Sequence, residues 1–143
     1  MTDEDYMQQA YGEALAAYDE GEIPVGAVVV CNGRVVASAH NQTERLGDVT
    51  AHAEMLALTA AADQLGAKYL DECTLYVTLE PCIMCAGAIG WSQLRRLVYG
   101  AGDPKRGYTL FYPSPLHPKT EVVSGVKRGV CEQLMKKFFK ERR

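Results

Sequence analysis

Long apolar segments are absent from this sequence. Its 143 residues contain no run of eighteen apolar residues, which excludes a helix that spans a membrane. The first five residues include three acidic side chains and no basic one, whereas a secretory signal peptide begins with basic residues. Repeats, low-complexity tracts and a second-domain boundary are absent too. We therefore expect one soluble, cytoplasmic domain over residues 1–143, with 48% apolar content to form its core.

Cysteine and histidine are scarce, and the cysteines do not follow the spacing of a disulfide framework. Their number, five, is odd, which suits a reducing compartment. Cys31, Cys73 and Cys131 lie among apolar residues and are predicted to be core side chains. His40 and His117 lack ligand spacing and are predicted to be polar groups rather than metal ligands. One histidine and two cysteines remain.

These remaining residues lie in two short segments with metal-ligand spacing. Residues 50–54 read Thr-Ala-His-Ala-Glu, and residues 79–85 read Leu-Glu-Pro-Cys-Ile-Met-Cys. The imidazole of His52 and the thiolates of Cys82 and Cys85 supply three ligands, whereas zinc prefers four in a tetrahedron, so water completes a catalytic site. The pattern predicts a hydrolytic zinc site.

Glu54 distinguishes a hydrolytic zinc site from a structural one. It follows His52 by two residues, so it need not bind zinc and can still reach the bound water as general acid and base. H-x-E followed by P-C-x-x-C is the pattern of zinc-dependent nucleobase deaminases, and all five positions match. A closed structural zinc site and a redox dithiol remain open as alternatives, although each explains fewer of these residues.

Helical and strand patterns alternate along the chain, which predicts an α/β sandwich. The Asn32-Gly33 pair predicts a hairpin, so the sheet begins antiparallel. His52 and Glu54 fall in the first turn of a helix, and Cys82 and Cys85 lie at the start of another. The predicted elements are a helix that starts within residues 2–5 and stops at Gly21, strands at 23–31 and 34–39, a helix at 51–65, a strand at 73–79, a helix starting at Pro81, strands at 94–99 and 121–123, and a helix at 126–139.

Two segments have properties of a nucleic-acid contact. Residues 101–118 are predicted to be a long surface loop in which basic residues precede aromatic ones, a composition that suits phosphates and unpaired bases. An aromatic loop packed on its own core, or across a subunit interface, is the alternative. The last seventeen residues hold seven Lys or Arg against two Glu, a local balance of +5 within a net charge of −3. This tail has either an anionic partner or only a solvated basic face.

The chain resembles the cytidine-deaminase-like superfamily, and within it the bacterial tRNA-specific adenosine deaminases. The resemblance covers nearly the whole chain. Its narrower parts are the Gly-Ala-x-Asp-x-Lys-x-Gly pattern at residues 100–107 and the Phe-Phe-basic ending at residues 138–143. The broader matching segments are residues 22–28, Asn41, residues 50–54 and residues 75–88.

This resemblance implies a fold and an activity. The fold is a three-layer α/β/α sandwich with a central mixed five-stranded sheet, forming a single zinc-dependent deaminase domain over residues 1–143. The activity is hydrolytic deamination of adenosine to inosine at wobble position 34 of tRNA, with Glu54 as proton carrier. One Zn²⁺ per subunit would be held by His52, Cys82 and Cys85. The implied partners are a second copy in a homodimer and the anticodon stem-loop of an arginine tRNA with an ACG anticodon.

The resemblance also implies substrate contacts. Asn41 would hydrogen-bond the base, Val25 would pack on its ring, and the backbone near Ala53 and Cys82 would line the pocket. The tail cations would reach RNA phosphates, which makes the acidic net charge compatible with RNA binding. The remaining implied contacts are Asp103, Lys105, Phe139, Arg142 and Arg143.

Two other functions remain open. A free nucleobase or nucleoside deaminase of the same superfamily, of guanine or cytosine type, needs no phosphate contacts and leaves the basic tail without a role. Trp91 favours this alternative, because a tryptophan after this helix resembles those enzymes. A non-catalytic binding module stabilised by zinc is the third function, and it leaves Glu54 unexplained.

Overall fold

The secondary structure follows the alternation of patterns in the sequence. The computed structural model describes residues 1–142, and these form one five-stranded sheet with helices packed against it, plus a short 3₁₀ turn at Tyr108–Leu110. The elements are α1 (Asp3–Asp19), β1 (Gly26–Cys31), β2 (Arg34–His40), α2 (Thr43–Leu46), α3 (Ala53–Leu65), β3 (Cys73–Leu79), α4 (Ile83–Trp91), β4 (Arg96–Ala101), β5 (Glu121–Ser124) and α5 (Arg128–Glu141).

The sheet is mixed, with strand order β2-β1-β3-β4-β5. Strand β1 is antiparallel to β2 and β3, whereas β3, β4 and β5 run parallel to one another. Asn32 and Gly33 join β1 to β2 with φ of 52° and 75°, the positive values that a two-residue hairpin turn requires. The predicted α/β fold with a mixed five-stranded sheet is confirmed.

Side chains alternate between the two faces of the sheet, so each central strand contributes to two hydrophobic clusters. Val28, Val30 and Tyr76 belong to the cluster that contains Tyr6 and Met7 of α1. Helix α5 lies on the same face, because Phe138 contacts Tyr18 of α1 with ring centres 6.2 Å apart. The cluster on the other face joins the sheet to α3 and α4 and includes Ala27, Val29, Leu75, Val77, Ala57, Leu58, Ala86 and Ile89.

Helix α1 begins where the sequence predicts. The Thr2 hydroxyl accepts the N–H of Asp5 at 3.2 Å, and the Asp5 carboxylate accepts the N–H of Thr2 at 2.9 Å, which forms a capping box. Gly21 follows the helix with φ of 80°, where glycine is favoured. The apolar side chain of Leu15 lies on the outer side of this helix and is 40% exposed.

Helix α4 begins two residues later than predicted. It starts at Ile83 with Cys82 as its N-cap, whereas the sequence predicts Pro81 as the first helical residue. The Pro81 carbonyl accepts the N–H of Tyr108 at 2.9 Å, and Cys82 forms an isolated β-bridge with Gly107. These contacts hold residues 81 and 82 outside the helix, so the helix begins after them.

The 101–118 segment is only partly the surface loop that the sequence predicts. Ala101 ends β4 and is buried, and Tyr108 is 5% exposed with its ring edge-on to Tyr99. Phe111 and Tyr112 are 49% and 97% exposed. The segment is therefore fixed to the core at Tyr108, while its aromatic tip lies at the surface.

The helices vary in length from one turn to 17 residues. The shortest, α2, gives no helical signal in the sequence and ends at Gly47 with φ of 57°. Among residues 1–142, no helix combines the length and the apolar character needed to cross a membrane.

Of the predicted core cysteines, Cys73 and Cys131 are buried, whereas Cys31 at the end of β1 is only half-buried.

Candidate metal centre and active site

The histidine and cysteine segments meet at one edge of the sheet. Strands β3 and β4 are parallel, so their carboxyl ends share this edge, where β2 also ends and β1 begins. Open α/β sheets bind ligands outside the carboxyl ends of their strands. His52 is the N-cap of α3 and Cys82 the N-cap of α4, and neither helix has a side-chain cap bond. The positive ends of two helix dipoles therefore converge here.

Three ligand atoms lie as a tetrahedral metal site requires. The Sγ atoms of Cys82 and Cys85 lie 3.6 Å and 3.4 Å from Nδ1 of His52, and the three ligand atoms lie within 4.8 Å of one another. Zinc–sulfur bonds of about 2.3 Å and zinc–nitrogen bonds of about 2.0 Å separate sulfur from nitrogen by roughly 3.5 Å in a tetrahedron. The side chains therefore fit a metal ion with a fourth position open. Within the part of the chain that the structure describes, no other such cluster occurs.

Charge at the site favours a cation. The hydrogen bond with Cys85 lowers the pKa of the Cys82 thiol to about 4, assisted by His52 and opposed by burial. The same bond raises the pKa of Cys85, and burial raises it further. The hydrogen bond with Cys82 also raises the pKa of His52. A metal cation replaces the protons that these groups hold, so its affinity rises with pH.

Glu54 lies beside the ligand cluster and is itself buried. Its side chain is in the first turn of α3, where the sequence predicts it, and it is 4% exposed. Burial raises the pKa of its carboxyl to about 7. A carboxyl with this pKa accepts or donates a proton near neutral pH, as general acid–base catalysis requires.

The residues that the resemblance assigns to base contacts are buried, and they lie near the segment that holds His52. The Asn41 N–H donates to the Val25 carbonyl at 3.0 Å, and the Gln42 N–H donates to the Ala51 carbonyl at 3.0 Å. Asn41 is 6% exposed and Val25 8%, and Ala53 is fully buried at the start of α3. These bonds place the end of β2 and the start of β1 beside the segment that holds His52.

Comparisons with known proteins agree with this arrangement. The whole chain, residues 1–143, matches the family model of the MafB19-like deaminases. The tRNA-specific adenosine deaminase of Bacillus subtilis is 45% identical, over 99% of this chain and 91% of that protein. The tRNA-specific adenosine deaminase of Agrobacterium fabrum is 43% identical, over 96% of this chain and 94% of that protein. The chain belongs to the tRNA-specific adenosine deaminase family.

A solved structure of the family shares the fold closely. It comes from a study of A-to-I editing by tRNA:A34 deaminases at the wobble position of transfer RNA, and it is 42% identical to this chain. The superposition has a TM-score of 0.86 and covers 91% of this chain and 98% of the other. The cytidine-deaminase-like fold and the family that the sequence resembles are therefore both confirmed.

Two residues that the family resemblance assigns to RNA lie in the 103–109 segment. Asp103 is half-buried, and its Oδ1 accepts the N–H groups of Lys105 at 3.1 Å and Arg106 at 3.0 Å. The Lys105 side chain is exposed. Asp103 thus shapes the turn that presents Lys105 to solvent, and a contact of either residue with RNA stays a prediction.

The other family-assigned contacts lie at the end of α5. Phe139 is 46% exposed, and the Arg142 guanidinium lies 4.0 Å from the centre of the Phe138 ring. The ammonium of Lys137 lies 5.2 Å from the centre of the Tyr18 ring, so the end of α5 packs beside the end of α1. Arg143 lies outside the described residues.

Sequence reasoning missed two buried carboxylates at this edge. Glu22 is 1% exposed and accepts the N–H groups of Glu44 at 3.0 Å and Arg45 at 2.8 Å. Glu80 is 5% exposed and accepts N–H groups from the 103–109 segment. Each is an acidic residue next to an apolar strand pattern, and this is the signal that the sequence offers.

Proposed function

We propose that this protein deaminates adenosine to inosine at wobble position 34 of tRNA. The observation that carries the proposal is the buried Glu54, whose carboxyl pKa is about 7, beside a cluster of one histidine and two cysteines. Hydrolytic deamination needs a water to attack the base and a proton to reach the leaving amine, and this set of groups suits both requirements. Membership of the tRNA-specific adenosine deaminase family supports the substrate.

We propose one zinc ion per subunit, with His52, Cys82 and Cys85 as its ligands. Two thiolates and an imidazole suit zinc, whereas magnesium and calcium prefer oxygen ligands. When bound, zinc supplies a polarised water for attack on the base.

Glu54 moves the protons of the reaction. Its carboxylate accepts a proton from the attacking water and donates it to the ring nitrogen next to C6 of adenine. The water oxygen becomes bonded to C6, and the bond between C6 and the amine breaks. Glu54 passes the second proton of the water to the amine, which leaves as ammonia. Adenosine and water thus give inosine and ammonia, and Glu54 returns to its starting state.

The bound RNA is proposed to be the anticodon stem-loop of an arginine tRNA with an ACG anticodon. The target base is turned out of the stack, and Asn41, Val25 and the backbone at Ala53 contact it. Lys105 and the basic end of α5 bind the RNA outside the pocket. We also propose a homodimer, because Trp91 is 85% exposed and Tyr112 97%, and exposed aromatic side chains pack against a partner at protein interfaces. We propose a cytoplasmic location, because tRNA is found there.

A deamination assay on two substrate classes tests the function. Zinc-loaded protein is incubated with the ACG arginine tRNA and, separately, with a panel of free bases and nucleosides. We expect inosine at position 34 and no ammonia from the small molecules. Ammonia from guanine or cytosine with unmodified tRNA would instead assign the protein to the free-base deaminases.

A Glu54→Gln variant is the control for the role of Glu54. It should retain zinc, because Glu54 is outside the ligand cluster, and it should lose about 10²- to 10⁴-fold in kcat, the usual contribution of a general acid–base group. Zinc content by elemental analysis and turnover on tRNA are measured in the same preparation. Full activity with zinc bound would exclude this role for Glu54.

A further inference from the structure

Glu80 is a buried carboxylate that the deamination chemistry does not use. It lies between the end of β3 and Cys82, and it is 5% exposed. Burial of a charged carboxylate is unfavourable unless hydrogen bonds compensate for the lost water. The arrangement of its hydrogen bonds therefore shows what this side chain contributes.

All of these hydrogen bonds come from the 103–109 segment. Oε1 of Glu80 accepts the N–H of Asp103 at 3.0 Å, and Oε2 accepts the N–H and the hydroxyl of Thr109 at 3.0 Å and 2.8 Å. One carboxylate thereby holds both ends of the segment with charge-assisted bonds, which are about twice as strong as neutral ones. A Cβ on Gly107 would lie 2.0 Å from Oε2, so the segment closes tightly around the carboxylate.

The same segment is joined to the metal-ligand segment. The Tyr108 N–H donates to the Pro81 carbonyl at 2.9 Å, and Gly107 forms a β-bridge with Cys82. Displacement of the segment would therefore move Lys105 relative to the catalytic edge of the sheet. The turn of residues 103–106 begins at the Asp103 amide that Glu80 holds, and the Asp103 side chain accepts the N–H of Arg106 within it.

We propose that Glu80 is a positioning residue for substrate binding. It holds the 103–109 segment so that Lys105 meets the RNA that flanks the target base. The inference rests on the proposed tRNA substrate, and it assigns to Glu80 an effect on KM rather than on the chemical step.

Thr109 offers a matched pair of variants. Thr109→Val removes the hydroxyl bond to Glu80 and keeps the shape of the side chain, whereas Thr109→Ser keeps the hydroxyl and is the control. For the zinc-loaded enzymes on the anticodon stem-loop, we expect Thr109→Val to raise KM about 2- to 12-fold, the effect of one lost hydrogen bond, with kcat within about twofold. Thr109→Ser should match the wild type. A role confined to folding would lower the active fraction and leave KM unchanged.

A second variant connects the effect to Lys105. In a Lys105→Ala background, Thr109→Val should raise KM by less than in the wild type. The contact between Lys105 and the RNA, which displacement of the segment would weaken, is already absent there. An undiminished effect in that background would contradict the proposed route through Lys105. Glu80→Gln should raise KM further than Thr109→Val, because an amide retains only one acceptor oxygen for three donors.

Hydrogen exchange separates this inference from the proposed function. The amides of Asp103 and Thr109 should exchange faster in Thr109→Val than in Thr109→Ser, whatever the substrate. If these amides do exchange faster and the wild type is inert on RNA, Glu80 holds the 103–109 segment as inferred and the proposed substrate is wrong. If exchange and KM are equal in the two variants, the positioning role is wrong.

Discussion

At the scale of single residues, His40 shows how neighbouring charges set a protonation state. Its Nδ1 lies 2.8 Å from a carboxylate oxygen of Glu13, and its Nε2 lies 3.1 Å from a carboxylate oxygen of Glu20. Burial lowers the pKa of His40, but the hydrogen bonds and charges of Glu13 and Glu20 outweigh burial and raise it above its usual value. His40 thereby ties the end of β2 to α1 most strongly when it is protonated.

Stability should therefore depend on pH through this residue. The pKa of His40 is higher in the folded protein than its unfolded value of about 6.5. Its contribution to the free energy of unfolding is therefore complete below that pH and is lost as pH rises through the folded pKa. For a partly exposed cluster it amounts to roughly 0.5–1 kcal/mol. Urea unfolding of the wild type and His40→Gln at pH 5.5 and pH 9 measures it. The wild type should be the more stable at pH 5.5 and lose that advantage at pH 9; an equal difference at both pH values would contradict the assignment.

At the scale of elements, the close packing of α1 on β1 depends on one missing side chain. A Cβ on Gly26 would lie 2.0 Å from the carbonyl oxygen of Ala10 and 2.4 Å from the backbone nitrogen of Ala14. Backbone atoms cannot move aside as a flexible side chain can, so the helix must shift as a whole. Gly12 is on the exposed side of the same helix, and a Cβ there would meet nothing within 4 Å.

These two glycines give opposite predictions for the same substitution. Gly26→Ala should destabilise the protein by at least about 3 kcal/mol, because overpacking against backbone displaces α1. Gly12→Ala should stabilise it by about 0.5–1 kcal/mol, because alanine has the higher helix propensity. Free energies of unfolding in urea measure both. A Gly26→Ala variant as stable as the wild type would show that α1 is free to move away from the sheet.

Local patterns predict most elements of this fold, and the errors lie where distant segments interact. The hairpin at Asn32-Gly33 is determined by two residues, and the cluster of His52, Cys82 and Cys85 is recognisable from residue type and spacing alone. The start of α4 cannot be recognised from its own residues, because the Pro81 carbonyl accepts a hydrogen bond from Tyr108 in another loop. Glu80 was not predictable for the same reason, since its partners are backbone amides that no sequence pattern identifies.

At the scale of the whole molecule, charge is distributed unevenly. Residues 127–143 carry seven Lys or Arg and two Glu, although the net charge of the chain is −3. Most of that segment is α5, and exposed lysines at 136, 137 and 140 lie along its outer side. A basic face on an acidic protein attracts RNA phosphates to one side of the molecule.

Deletion of residues 140–143 should weaken binding of the anticodon stem-loop. The deletion removes three cations, so the plot of log affinity against log salt should become shallower by about 2. Deamination chemistry on bound RNA should persist, because the ligand cluster and Glu54 are untouched. Filter binding at several salt concentrations measures the slope, with Lys119→Ala, a cation outside α5, as the control. Equal affinity and slope before and after the deletion would exclude the tail as an RNA contact.

The position of the proposed metal ligands along the chain would also affect the stability of the metal-bound protein. His52 and Cys82 are 30 residues apart, and they begin two different helices. A metal held by both would join the start of α3 to the start of α4 in the folded protein. Because the unfolded chain does not keep this site assembled, the free energy of unfolding would rise with the free concentration of the ion. The amount of folded enzyme in a cell would then follow the supply of that metal.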